Sequence, residues 1–187
     1  MKVYHDSGPP PSFVRKDREY NIYVCEMKAY RRLKERGICE KGIVPQFYGS
    51  IEQIRPKLWQ PNLDMFAEDK YLPSAILIEY IPDMRMLDLA TYTPKRMEKF
   101  IDGLKAIHEA LVLHQDAKPH NMMVVPGDPD RVLWIDFDRA ETYDEDRITP
   151  EQREWIDHEA RTVEELAVYL PLDCAEGRYN QTILWFF

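Results

Sequence analysis

Ile22, Cys25, Ala29 and Leu33 recur at helical spacing, so the pattern predicts a helix from about Glu19 to Arg36, stopped by Gly37. Gln46–Ile51 and Ala75–Ile81 read as strands, the second apolar enough to be buried. An irregular, proline-bearing stretch from Arg55 to Pro73 separates them. The strongest helix signal runs from Pro94 to about Leu113. Thr93 suits its cap and Pro94 its first position, and Met97, Phe100, Ile101, Leu104, Ile107, His108 and Leu111 make one stripe. After an irregular segment, His114–His120, the apolar runs Met122–Val125 and Val132–Ile135 flank the turn residues Pro126–Asp130, which predicts a hairpin. A last helix opens at the capping pattern Thr149-Pro150-Glu151-Gln152 and carries Trp155, Ile156, Ala160, Val163, Leu166, Ala167 and Leu170 until Pro171 ends it. Ser7–Pro11 and the charged run Arg15–Glu19 read as an exposed loop, whereas the tail Thr182–Phe187 is too apolar for water and is expected to pack. Helices and short strands together make an α+β chain.

Composition narrows the class. The 187 residues include 44% hydrophobic and 12% aromatic side chains, enough for a packed core rather than a disordered chain. With 25 Lys+Arg against 33 Asp+Glu the formal charge is −8, which argues against non-specific attraction to nucleic acid. No apolar run approaches the ~20 residues that span a bilayer, so no membrane partner is expected. Met1–Asp6 lacks the apolar centre of a secretory signal, and Cys25, Cys39 and Cys174 show no metal-ligand spacing. A reduced cellular interior, cytoplasm or nucleus, is the expected setting.

The chemistry concentrates in His114-Gln115-Asp116-Ala117-Lys118-Pro119-His120-Asn121 and in Asp136-Phe137-Asp138. A carboxylate, a cation and an amide share one loop between a long helix and a hairpin, and Asp136 closes the hairpin's return strand. Two acidic groups, an amide and a cation meeting at one place suit phosphoryl transfer. Asn121 and Asp136 would offer hard oxygen ligands to Mg²⁺, Asp116 would orient a hydroxyl nucleophile, and Lys118 would offset charge on the moving group.

This block resembles the catalytic loop and metal-binding aspartate of protein kinases and their relatives. His114, Asp116 and Asn121 match His-x-Asp followed four residues later by Asn, Lys118 and Pro119 match the Lys-Pro pair, and Asp136-Phe137 matches the start of Asp-Phe-Gly. Small-molecule phosphotransferases related to choline and aminoglycoside kinases share part of the pattern, but Lys118 tilts it toward the protein kinases. The resemblance implies that Glu26 lies on helix C and pairs with Lys2, the strand lysine that touches nucleotide phosphates. It also implies that Ile78–Pro82 is the hinge, with backbone groups of Glu79 and Ile81 binding adenine. The likeness covers roughly Lys2 to Arg139 and is greatest to short, divergent kinase-like proteins predicted from fungal genomes.

The implied architecture is a kinase-like α+β fold. Residues 1–81 would form a truncated small lobe, a partial antiparallel sheet with helix C, and the hinge. Residues 82–187 would form a reduced, mainly helical large lobe. The implied cofactors are ATP and Mg²⁺, and the implied acceptor is a hydroxyl, on a protein Ser or Thr in preference to a small molecule. Three departures stand against the pattern: there is no Gly-x-Gly, Asp138 replaces the glycine of Asp-Phe-Gly, and the large helical region is reduced, Thr149-Pro150-Glu151 being a poor counterpart of Ala-Pro-Glu. They leave open a pseudokinase or interaction module without turnover, and a truncated gene product lacking the glycine-rich loop.

Overall fold

The computed structural model describes residues 1–9, 18–179, 181 and 182. Positions 10–17 of the expected Ser7–Glu19 loop and the tail 183–187 lie outside the described residues. The chain is mixed α+β, with three α-helices and small antiparallel sheets among the described residues.

Three short strands, β1 (Lys2–Tyr4), β2 (Phe47–Ile51) and β3 (Ser74–Ile78), pair in the order β1-β3-β2. The register sets Lys2 opposite Ile76 and Tyr4 opposite Ser74. With a side-chain period of two, Lys2 and Tyr4 share one face and Val3 takes the other. Val3 and Ile51 pack with buried Ile54, Leu63, Phe66 and Ala75, so the proline-bearing segment supplies a small core for that face. β3 ends at Ile78, short of the expected Ile81, because the chain returns one last amide, from Glu79 to the Gln46 carbonyl at 2.8 Å, and turns away before Pro82.

Helix α1 (Ile22–Glu35) covers the Lys2 side of the sheet. It starts later than Glu19: the Glu19 carboxylate accepts the amides of Tyr20 and Asn21, and Asn21 then caps the helix through Tyr23 and Val24. Helix α2 (Pro94–Glu109) is capped by Thr93 as expected. It stops before Leu113, because Leu111 adopts φ 59° and Val112–Leu113 becomes a strand.

β4 (Arg85–Met86) and that strand, β5 (Val112–Leu113), precede the hairpin of β6 (Met122–Val125) and β7 (Asp128–Trp134). The hairpin register pairs Met122 with Trp134 and Val124 with Val132, and β7 begins at Asp128 rather than Val132. β8 (Glu141–Thr142) pairs with β5 and brings the chain back beside the loop after α2.

Helix α3 (Pro150–Glu176) opens with the full Thr149–Gln152 capping box. Contrary to expectation it runs through Pro171, to Gly177 at φ 67°. A proline costs one helical hydrogen bond and some crowding. Here the turn beyond it is tied down: buried Asp173 accepts the amides of Gln181 and Thr182, and Tyr179 accepts the amide of Leu89. One core joins α1, α2, the hairpin and α3 through Tyr30, Leu33, Phe100, Met122, Trp134 and Leu166. No helix among the described residues is long and apolar enough to cross a membrane.

Candidate functional site

Two polar groups sit side by side, linked through the backbone. The first is built on Lys2. Pairing of β1 with β3 aims its side chain at α1, where Nζ lies 2.6 Å from Oε2 of Glu26 and 2.6 Å from Oδ1 of Asp136. Tyr4, on the same strand face, donates its hydroxyl to Glu26 as well. Glu26 is fully buried, and its Oε1 has no partner. Burial disfavours the Lys2 cation, but Glu26 and Asp136 outweigh it and raise its proton affinity above that of an ordinary lysine.

Asp136 follows the end of β7 with φ 64°, a left-handed turn that swings its carboxylate out of the strand direction toward Lys2. Two residues on, burial and the Asp136 charge push the Asp138 carboxyl above the usual range. Asp138 stands where the kinase pattern has glycine.

The second group is the loop from His114 to Asn121. Asn121 donates Nδ2 to the Asp116 carbonyl at 2.9 Å and to Asp116 Oδ2 at 3.1 Å. His120, four residues after Asp116, places Nε2 2.9 Å from the same Oδ2, and Lys118 Nζ stands 4.0 Å from Oδ1. Burial pushes the Asp116 carboxyl up, but the His120 hydrogen bond and the charges of His120, Lys118 and Arg139 outweigh it, so the group sits below the usual aspartate range. His114 is buried between Phe137 and Trp134, with Nε2 3.0 Å from the Ile135 carbonyl. Burial holds its imidazole below the usual value and favours the neutral ring. The amide of Ile135 donates to the Asn121 carbonyl at 3.1 Å, which fastens the residue before Asp136 to the loop.

Lys2, Glu26 and Asp136 thus form one group, and Asp116, Lys118 and Asn121 the other. Glu79 and Ile81 belong to neither. The Glu79 carboxylate accepts both Arg131, at 2.8 and 2.9 Å, and the Gln46 amide, so its side chain clamps the end of β3 to β7. Ile81 is buried and, with Glu79, Pro126 and Gly127, borders an open hollow of about 320 Å³.

Asn121 and Asp136 each carry an oxygen of the hard type that Mg²⁺ takes. Asn121 has committed its amide nitrogen and Asp136 one carboxylate oxygen, so each retains a hard oxygen. Mg²⁺ commonly takes one or two protein carboxylates and completes its shell with water and phosphate. Among the described residues, no group of three His, Cys, Asp or Glu side chains is placed to hold a metal ion.

The sequence reading missed several residues. Glu159 of α3 accepts His108 Nε2 at 2.8 Å, the His114 amide at 3.0 Å and, through its other oxygen, the Gln115 amide at 2.6 Å, so it anchors the start of the loop. Its signal was available: Glu159 lies three residues after Ile156 and four before Val163, a carboxylate on the buried stripe. Arg32 of α1 donates to the carbonyls of Ala110 and Tyr143 and binds the helix to the two segments beside the loop. His120 has the i, i+4 spacing to Asp116. A cavity of about 630 Å³ opens beside Asp116 and Lys118, against α3. No family model matches the chain, and no curated protein matches it.

Proposed function

We propose that the chain is a protein kinase-like phosphotransferase that moves the γ-phosphoryl group of Mg²⁺-ATP to an alcohol. The observation that carries this reading is the Lys2–Glu26–Asp136 cluster: a strand cation, a buried helix carboxylate and a carboxylate 134 positions from that cation meet at 2.6 Å. They stand beside a loop holding Asp116, Lys118 and Asn121, the combination that phosphoryl transfer asks for. Bound Mg²⁺-ATP would supply the phosphoryl group and neutralise its charge. Lys2, oriented by Glu26, would hold phosphate oxygens, and Asn121 and Asp136 would hold the cation. Asp116, kept ionised by its neighbours, would orient the acceptor hydroxyl and receive its proton as the new bond forms. Lys118 would offset charge on the moving group.

A second reading, a kinase-like binding module without turnover, has its own support. Lys2 occupies an oxygen of the carboxylate that a cation would need, and Asp138 stands at the glycine position.

Thermal denaturation with and without Mg²⁺-ATP tests the nucleotide assignment. Stabilisation of the wild type is expected to vanish in Asp136→Asn and to persist in Asp116→Asn. Equal stabilisation of wild type and Asp136→Asn overturns the metal assignment. Nucleotide stabilisation together with no Asp116-dependent transfer selects the second reading.

A further inference from the structure

The cavity of about 630 Å³ beside the His114–Asn121 loop has Asp116 and Lys118 on one side and a single face of α3 on the other. Helix positions 151, 155, 158, 159 and 162 line it, the i, i+4, i+7, i+8 and i+11 spacing of one face. Glu159 binds this face to the loop through the amides of His114 and Gln115, so the fold holds the wall in place. Asp116 belongs both to the cavity and to the proposed reaction centre. The volume lies inside the roughly 300–1,000 Å³ range of small-molecule sites, whereas an extended peptide binds along a groove or a strand edge.

The wall is anionic and holds one aromatic plate. Asp116, Glu141, Glu151 and Glu159 stand against Arg18 and Lys118, an excess of two negative charges with histidine neutral. The positive end of α3 returns roughly half a charge, so the balance stays negative. Both cations are already engaged: Arg18 Nε lies 3.4 Å from Glu141 and its guanidinium donates to Gln115, and Lys118 Nζ lies 4.0 Å from Asp116. Glu159 is occupied by its three donors. Glu151 is exposed and has no partner among the described residues. One turn further along the helix, half-buried Trp155 packs against the cluster of Leu113, Tyr143 and Ile156 and also lines the cavity. A carboxylate with open acceptor sites beside an indole ring attracts an organic cation. Quaternary ammonium groups are held in cages of several rings, and this wall has one Trp and neither Phe nor Tyr. A primary ammonium instead brings three N–H donors to carboxylate oxygens and needs a single ring. An anionic alcohol meets the same field as repulsion.

Resting on the phosphotransferase reading, we propose that this cavity is the acceptor site and that its occupant is a small alcohol carrying a primary ammonium, with the ammonium at Glu151 and Trp155 and the hydroxyl at Asp116. In the transfer, the alcohol oxygen bonds to the γ-phosphorus of ATP and the bond from that phosphorus to the β-phosphate oxygen breaks. ADP leaves with the electron pair, and the hydroxyl proton passes to Asp116 and then to solvent. The ammonium takes no part in bond making and serves to hold the alcohol in place.

Ligand-observed NMR and calorimetry on the full chain test the assignment without using turnover. The panel is ethanolamine, propanolamine, aminobutanol and aminopentanol. Four contrasting arms accompany it: the matching diols remove the charge, choline removes the N–H donors, hydroxypentanoate inverts the charge, and a mixture of Lys-Ser and Arg-Ser peptides presents a cation on a polypeptide. At least one amino alcohol is expected to saturate the wild type and to bind at least about tenfold more tightly than its diol. The same ligand is expected to bind about tenfold more weakly to Glu151→Gln and to Trp155→Leu. Glu151→Gln alters an exposed side chain and keeps the test valid if Trp155→Leu fails to fold. Asp136→Asn, outside the cavity lining, is expected to bind the amino alcohol as the wild type does. The proposal is overturned if no amino alcohol saturates, if the diol binds as tightly, if Glu151→Gln leaves the affinity unchanged, or if choline, hydroxypentanoate or peptide binds most tightly. Saturable, Glu151-dependent binding in a chain that Mg²⁺-ATP does not stabilise leaves the cavity's ligand class standing and removes the phosphotransferase reading instead.

Discussion

The ammonium of Lys2 lies 2.6 Å from Oδ1 of Asp136 and at the same time 2.6 Å from Oε2 of Glu26, so one cation compensates two carboxylates. The two arms are unequal. The Glu26 side chain is 1% exposed and that of Asp136 42%, so only the Glu26 arm is shielded from solvent. Breaking a buried pair from one side costs about 3–5 kcal/mol, less when one partner is solvated. Lys2 is 37% exposed, and Lys2→Met is therefore expected to cost about 1–3 kcal/mol in urea denaturation. Glu26→Gln is expected to cost less, because it strands no charge, and the double variant should sit close to Glu26→Gln alone. A Lys2→Met cost that is the same with Glu or Gln at position 26 contradicts this account.

Glu159 is the second support. Its carboxylate is 10% exposed and accepts three donors, two of them backbone amides that open the His114–Asn121 loop. Glu159→Ala leaves those donors without an acceptor and is expected to cost about 3 kcal/mol. Glu159→Gln, which keeps one acceptor oxygen, is expected to cost about half of that. Amide exchange at Gln115 reads the local effect, and unchanged protection of that amide in Glu159→Ala rules out the bracing role.

What the sequence disclosed depended on how local the deciding interaction is. The Thr149–Gln152 capping box is closed within one turn and was legible, as was the Thr93 cap of α2. The Lys2–Glu26 contact was legible only through the motif resemblance, since nothing near Lys2 announces a partner 24 positions away. Long-range ties defeated the local rules. Pro171 reads as a stop, yet Asp173 and Tyr179 hold the following turn through contacts with Thr182 and Leu89. Leu111 continues the apolar stripe of α2, yet the pairing of β5 with β8 and the Tyr143 amide on the Leu111 carbonyl pull it into a left-handed turn. The Glu79 side chain was unreadable for a similar reason, its partner Arg131 lying 52 positions away.

His114 should make stability depend on mild acid. Burial depresses its proton affinity below the ordinary value of 6.5, against the opposing pull of Glu159 and Asp116. As pH falls, the unfolded chain takes up this proton first. The contribution is complete above about pH 6.5 and is lost as pH drops from there toward the lower folded value, with a limiting slope of about 1.4 kcal/mol per pH unit. His114→Gln removes the titration. Urea midpoints at pH 7.5, 6.5 and 5.5 are expected to show the wild type's advantage over the variant shrinking with pH. An advantage that stays constant across the series refutes the burial argument.

Asp116 carries the sharpest functional prediction. Its carboxylate receives His120 and Asn121 and faces Lys118, and those neighbours keep it ionised below the usual aspartate range. Asp116→Asn preserves size and leaves an oxygen for the Asn121 amide, but it removes the charge that, in the proposed function, would orient a hydroxyl and accept its proton. Positioned acid–base groups contribute about 10²–10⁴-fold to rate. Transfer to any accepted alcohol is therefore expected to fall by at least about 10²-fold in this variant. Mg²⁺-ATP stabilisation should remain as in the wild type, because Lys2, Glu26 and Asp136 are untouched. Equal turnover in wild type and Asp116→Asn, measured on protein from parallel purifications, would assign the activity to another site.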